Sequence, residues 1–366
     1  MSSFIPPHIL SLQAYEPGKP EEELRRELGI ESIVKLASNE NAFGPSPHVL
    51  DALSDGARAL HRYPDPRGTD LREALAAHHQ LEPAEITLGN GSNELIDLLC
   101  RVSASRGDHV VYCHPSFPCY HIGAIAQELV RGVVPLRDDL HYDVDALLGA
   151  ITPQTRLLFV ANPNNPTGSY IGEAGLTRLL KEAPDHVLVV IDEAYVEYAN
   201  ADDFRCAMDL RSLRSRLAIL RTFSKAYGLA ALRVGYVIAP PEVVHTINRL
   251  RAPFNVGSMG QRLACVALED TDHVRRTVSA SIEEREALRA ALEARGFEVA
   301  PSQANFLLVR TAGPGRAVYE ALLRQGVIVR PMGPPLEASI RVTVGRPEEN
   351  ARFLDALTHV LKDSRG

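Results

Sequence analysis

The run Val187-Leu188-Val189-Val190-Ile191, which stops abruptly at Asp192-Glu193-Ala194-Tyr195, decides the fold. Five consecutive aliphatic residues are too apolar for a strand with one wet face, so both faces must be covered, as in a parallel sheet flanked by helices. Such sheets place ligands at the carboxyl ends of their strands, and Asp192 stands at one. With this strand (186–191), six others are expected at 85–88, 109–113, 132–136, 157–160, 218–221 and 235–238, with helices between most of them. The alternation predicts an α/β architecture with a mainly parallel central sheet.

Towards the amino terminus, Pro20 followed by Glu21-Glu22-Glu23 starts a short helix that Gly29 ends, with proline and acids first and glycine last. Thr69 is placed to cap a helix running from Asp70 towards His78. After Pro253 the texture changes. Two long helical patterns cover 257–269 and 273–294; the second carries a Ser281-x-x-Glu284 capping signal and stops at Gly296. Short strands at 306–310, 327–330 and 340–344 then alternate with helices near 316–324 and 347–361, an α+β module. The expected organisation is an amino-terminal arm (1–36), a large domain (37–255) and a smaller carboxyl-terminal domain (256–366).

The chain has 366 residues with 45% hydrophobic and 23% charged content, the balance of a soluble globular protein. A net charge of −7 argues against a polyanionic partner. Neither a basic block nor zinc-finger spacing occurs, so nucleic-acid binding is not expected. Pro6 and Pro7 follow a start without basic residues, which fits neither a signal nor a transit peptide. No run reaches the roughly 18 apolar residues of a membrane helix. Cys100, Cys113, Cys119, Cys206 and Cys265 are odd in number and form no CxxC pair, so reduced thiols in a cytoplasmic protein are expected. The histidines show no HExxH spacing; His78-His79 reads as a solvated helix face, and no metal site is expected.

Chemistry concentrates near Leu220-Arg221-Thr222-Phe223-Ser224-Lys225-Ala226-Tyr227-Gly228-Leu229, with Arg233 eight residues beyond Lys225. Alone, such a lysine is a solvated charge and Asp192 a turn or cap. Together, one amine, one strand-end carboxylate and one guanidinium are what pyridoxal phosphate needs: a Schiff-base partner, a ring-nitrogen partner and a phosphate anchor. Gly89-Asn90-Gly91-Ser92-Asn93-Glu94 links a strand to an apolar helix and offers backbone N–H groups to a phosphate. Ser92 and Asn93 serve equally as caps of that helix, the commoner use. Asn162-Pro163-Asn164-Asn165-Pro166-Thr167-Gly168 is a turn, and an asparagine held rigidly there is a good donor to a phenolate oxygen.

Those segments, in this order, resemble fold-type I pyridoxal-phosphate aminotransferases, and among them the histidinol-phosphate aminotransferases. Supporting segments are Tyr15-Glu16-Pro17-Gly18-Lys19-Pro20, Leu36-Ala37-Ser38-Asn39-Glu40-Asn41, Arg62-Tyr63-Pro64-Asp65 and Ile340-Arg341-Val342-Thr343-Val344-Gly345, so the likeness runs from about residue 15 to residue 352. It implies that Lys225 forms the Schiff base and shuttles the proton, Asp192 pairs with the ring nitrogen, and Asn165 and Tyr195 bond the ring oxygen. Phe117 would stack on the ring, where tyrosine is common in the family. Ser92, Asn93, Ser224 and Arg233 would hold the phosphate, joined by Tyr63 of a neighbouring subunit, which makes the enzyme an obligate homodimer with shared sites. Arg341 would clamp the substrate anion, with Arg352 and Tyr15 nearby; one arginine fork suits carboxylate and phosphate alike. Two departures are Ala42-Phe43, where proline and an aromatic or leucine are usual, and Ala231, where glycine is frequent.

The implied reaction moves an amino group between histidinol phosphate and 2-oxoglutarate, giving imidazole acetol phosphate and glutamate by a ping-pong route. The competing readings are an aromatic amino-acid aminotransferase, a decarboxylase of a phosphorylated amino acid, and a pyridoxal-phosphate-binding regulator without turnover. The last would carry a DNA-binding region, for which the segment before Leu36 is too short and too acidic.

Overall fold

In chain order the strands are β1 (Val34–Lys35), β2 (Ile86–Asn90), β3 (His109–His114), β4 (Val130–Pro135), β5 (Thr155–Ala161), β6 (Leu188–Asp192), β7 (Leu217–Thr222), β8 (Val234–Ile238), β9 (Phe306–Arg310), β10 (Val327–Ile328), β11 (Arg330–Pro331) and β12 (Ser339–Thr343). The computed structural model describes residues 4–13, 18–58 and 60–363. Strands β2 to β8 build one seven-stranded sheet in the order β2-β8-β7-β6-β5-β3-β4. All neighbouring pairs from β7 to β4 are parallel, whereas β8 runs antiparallel to both β7 and β2. The 223–233 connection contains only a 3-10 turn, Ala230–Leu232, and is too short for the helical crossover that a parallel neighbour requires. The chain therefore reverses there and brings Arg233 back beside Ser224.

The central strand is covered on both faces, as its composition predicts. Val189 and Ile191 join the core on one side of the sheet, and Leu188 and Val190 the core on the other. The two-residue period places Asp192 on the Leu188–Val190 side, with Tyr120 and Phe117. Burying each such side chain contributes on the order of 2 kcal/mol, so the strand end is held rigidly.

Strands β11, β12 and β9 form a separate antiparallel sheet over a core that includes Leu292, Leu307, Ile340 and Phe353. Leu36 belongs to that core, and β1 pairs parallel with β10, so the amino-terminal segment is built into the carboxyl-terminal module. Helix Ser258–Glu269 instead packs Leu263, Ala264 and Ala267 into the core beneath the large sheet. We propose a terminal arm, a large sheet domain and a smaller carboxyl-terminal domain, with this helix lying on the large side.

Four local expectations are corrected. The single strand expected at 327–330 is two, because the ladder breaks at Val329 and β10 pairs with β1 but β11 with β12. Thr69 is the first residue of helix Thr69–His79; the cap residue is Gly68, and Asp65 accepts the Thr69 N–H at 2.7 Å. Ser281 lies buried mid-helix in Thr271–Glu293, whose start is capped by Asp270 accepting from the His273 N–H at 3.1 Å. His79 is half-buried against the Tyr236 hydroxyl at 2.8 Å, and burial drives its pKa down to about 3, so only His78 keeps a solvated face. No helix among the described residues is long and apolar enough to cross a membrane.

Candidate active site

The carboxyl ends of β5, β6 and β7 open on a cavity of about 400 Å³, the size of a small-ligand site. Ser92 and Asn93, from the first turn of helix Gly91–Ser103, form one wall with Ser224 and Arg233. No side chain caps this helix; the Asn90 N–H goes to the Glu94 carboxylate at 2.6 Å, so Ser92 and Asn93 do not serve as caps. Arg233, in the left-handed region at φ 54°, donates to Ser224 Oγ at 3.2 Å. A Cβ on Gly91 would collide with the Arg233 guanidinium, and one on Gly235 with the Ser92 amide. Bare backbone thus lets a cation, two hydroxyls and a helix amino terminus converge, the composition of an anion cradle.

The same cavity is lined by an acid and an amine. Asp192, 5% exposed, accepts from Tyr120 Oη at 2.8 Å and from the Ala194 N–H at 3.2 Å. Burial pushes its carboxyl up to about 6 even against those two hydrogen bonds. Lys225 Nζ donates to the Ser38 carbonyl at 3.0 Å and lies 5.6 Å from the Tyr195 ring centre. Burial, and then the Arg341 charge, bring its pKa down to about 7, with Glu40 opposing. A large fraction of this amine is therefore uncharged near neutrality, the state a nucleophile needs.

Tyr195 Oη accepts from Asn39 Nδ2 at 3.0 Å and, through a longer contact of 3.4 Å, from Asn165 Nδ2. Arg341 donates to Asn165 Oδ1 at 2.6 Å and to the Ala37 carbonyl at 2.7 Å. Of the three turn asparagines only Asn165 reaches the cavity lining; Asn162 and Asn164 spend their amides on Ile171, Pro115 and Thr167. Phe117 lines the cavity and meets Tyr120 edge-on, with ring centres 5.9 Å apart.

The family model for aminotransferase class I and II matches residues 31–357. A histidinol-phosphate aminotransferase of Anaeromyxobacter sp. (strain Fw109-5) is 45% identical, over 98% of this chain and 99% of the relative. Histidinol-phosphate aminotransferase 2 of Pseudomonas aeruginosa is 44% identical over 99% of each chain. The crystal structure of histidinol-phosphate aminotransferase from Sinorhizobium meliloti in complex with pyridoxal-5'-phosphate superposes with a TM-score of 0.90 at 30% identity, covering 100% of this chain and 99% of that one. The chain belongs to the class I and II aminotransferases. It is a pyridoxal-phosphate-dependent enzyme, and its residues fit that cofactor: an anion cradle, a buried acid and a neutralised amine face one cavity.

Not every expected residue of this aminotransferase is brought together. Tyr63 is 81% exposed and stacks on Phe254 at 4.6 Å, outside the cavity of its own chain. Arg352 does not join Arg341: it lies on the exposed side of helix Pro347–Asp363, and its guanidinium donates to the Gln325 carbonyl at 2.9 Å. Tyr15 lies outside the described residues. Three residues went unassigned in the sequence reading. Asn39 and Tyr120 bond the two central side chains across the fold, and Arg330 faces Arg341 directly across the β11–β12 pair, which places both on one face. Asn39 lies in the segment 36–41 that supports the resemblance, but the roles of all three are set by tertiary contacts.

Proposed function

We propose that this aminotransferase passes the amino group of histidinol phosphate to 2-oxoglutarate, giving imidazole acetol phosphate and glutamate, as a step of histidine biosynthesis. The observation that carries the reading is Arg341 in the cavity wall beside Lys225, with Arg330 opposite it. Two arginines on one face suit a phosphate ester in one half-reaction and a carboxylate in the other. The names borne by relatives of near-equal length support the same substrate.

When bound, pyridoxal phosphate supplies an electrophilic aldehyde carbon and an electron-withdrawing ring. Ser92, Asn93, Ser224 and Arg233 would hold its phosphate, Asp192 its ring nitrogen, and Tyr195 with Asn165 its ring oxygen, while Phe117 covers one face. Lys225 Nζ would hold the aldehyde carbon at rest. During turnover it takes the proton from the substrate carbon that bears the amine, work for which a pKa near 7 is well matched. Tyr63, exposed and outside its own cavity, is assigned to the phosphate of a second copy, so the working unit is a homodimer. Five free cysteines support a cytoplasmic setting.

The test is the half-reaction of the loaded enzyme with each donor alone. Histidinol phosphate is expected to bleach the visible cofactor band faster than phenylalanine does. A dominant phenylalanine rate overturns the substrate in favour of an aromatic donor, and carbon dioxide release without any oxo acid would indicate decarboxylation.

A further inference from the structure

Asn39 is bound on every polar group it has. Its N–H donates to Thr343 Oγ1 at 2.9 Å, its carbonyl accepts from Asn305 Nδ2 at 3.1 Å, its Oδ1 accepts from Thr343 Oγ1 at 3.2 Å, and its Nδ2 donates to Tyr195 Oη at 3.0 Å. The residue is 1% exposed and held at φ 54°, a conformation that asparagine tolerates better than other side chains do. Thr343 fixes the way the amide points: its hydroxyl oxygen accepts the Asn39 N–H while its one proton is given to Asn39 Oδ1, and in that arrangement the NH₂ end faces Tyr195.

The consequence reaches the phenol. Tyr195 Oη is an acceptor towards Asn39 and towards Asn165, so its own proton is directed at neither amide. We propose that Asn39 is a positioning residue that fixes the polarity of Tyr195. The directed chain runs from Thr343 through Asn39 to Tyr195 and makes the phenol a donor to the ring oxygen of bound pyridoxal phosphate. This rests on the assignment of Tyr195 to that oxygen. Because Thr343 belongs to β12 and Asn305 precedes β9, the carboxyl-terminal module sets the direction of a hydrogen bond at the sheet end. Arg341, on the same strand and two residues away, reaches Tyr195 from its other side through Asn165.

Asparagine and aspartate have one shape and opposite hydrogen-bonding character, so Asn39→Asp is the decisive variant. A carboxylate there accepts the Tyr195 proton and takes it from the ring oxygen. A donor to that oxygen favours its anionic form, so losing it raises the pH midpoint of the change in the cofactor's visible absorbance. Titration of the loaded full-length enzymes in the absence of substrate is expected to show a rise of about one pH unit for Asn39→Asp, comparable to Tyr195→Phe. Thr343→Val, which frees the amide to turn over, is expected to give a smaller rise, and Thr343→Ser none. Equilibrium dialysis is expected to show about tenfold weaker cofactor retention in Asn39→Asp. A shift in Tyr195→Phe with none in Asn39→Asp or Thr343→Val overturns the role of Asn39 alone. An unshifted Tyr195→Phe overturns the assignment of Tyr195, and the proposal with it. Should Asn39→Asp fail to fold, the Thr343→Val and Thr343→Ser pair decides by itself.

Discussion

Two acid–base pairs lie side by side where β6 and β7 end, and they are opposite solutions to burying charge. Glu193, fully buried, accepts from Arg221 Nε at 2.9 Å and from the Ala207 N–H at 2.6 Å, and Glu197 lies 3.6 Å from the same guanidinium. Its neighbour Asp192 points the other way and, among the described residues, is hydrogen-bonded to no cation: Lys225 bonds a carbonyl while Asp192 bonds a phenol, and the two act on each other only weakly through space. The closed pair is structure. The open pair is reactive, with the acid raised to about 6 and the amine lowered to about 7. A buried charge that lacks a fixed counter-charge shifts its proton equilibrium instead, which prepares Lys225 to attack and Asp192 to meet a ring cation.

The contrast breaks most visibly at Lys225. Lys225→Ala is expected to cut turnover by at least about 10⁴-fold, since nucleophile and proton carrier go together. Its cofactor-free melting temperature should not fall, because no ion pair is lost. A single-turnover assay beside a thermal melt checks both halves, and substantial activity in the variant would refute the reading of the open pair.

Asp192→Asn is next, with an expected loss of about 10³-fold in kcat as the ring-nitrogen partner loses its charge. Glu193→Gln is its control one residue away. It leaves Arg221 short of its main counter-charge in the interior and is expected to lower stability by about 3 kcal/mol while retaining most of the kcat per folded molecule. Urea unfolding and active-site titration separate the two. If Asp192→Asn proved the less stable and Glu193→Gln the less active, the distinction between the pairs would collapse.

Which parts of this contrast were legible in the sequence follows from how local each one is. Val187 to Ile191 betrays a doubly covered strand by composition alone; Asp192 and Lys225 are legible because each ends or closely follows a buried strand, and Arg233 by its spacing from Lys225. Asn39 and Tyr120 are not, because their partners are 156 and 72 residues away and nothing local marks the meeting. The position of Arg352 was illegible for a related reason: a motif gives order along the chain, whereas the face of helix Pro347–Asp363 on which it falls depends on packing. Ser281 shows the converse error, since a Ser-x-x-Glu spacing also occurs mid-helix. There the serine is buried and Glu284 accepts from Asn350 at 2.9 Å.

The finest test of the open pair uses pH, where its two members separate. Lys225 carries a depressed pKa, so its amine is free above about 7 rather than only above the ordinary lysine range. The rate of cofactor capture by the cofactor-free enzyme should fall on acidification through that value, about tenfold for each unit below it. Asp192 carries a raised pKa, so its carboxylate is protonated below about 6 and loses its attraction for a ring cation there. Cofactor affinity should weaken through that lower value. Tyr120→Phe distinguishes the limbs: the phenol it removes donates to Asp192 and holds its pKa down, so the affinity limb should move up by less than about one pH unit. The capture limb should move far less, because Lys225 does not bond Tyr120, and Arg341, Glu40 and Arg233 all act on it more strongly than Asp192 does. Stopped-flow capture rates and equilibrium titrations across pH 5 to 9 read the two limbs independently, and a Tyr120→Phe variant that moved both equally would mean that acid and amine titrate as one pair.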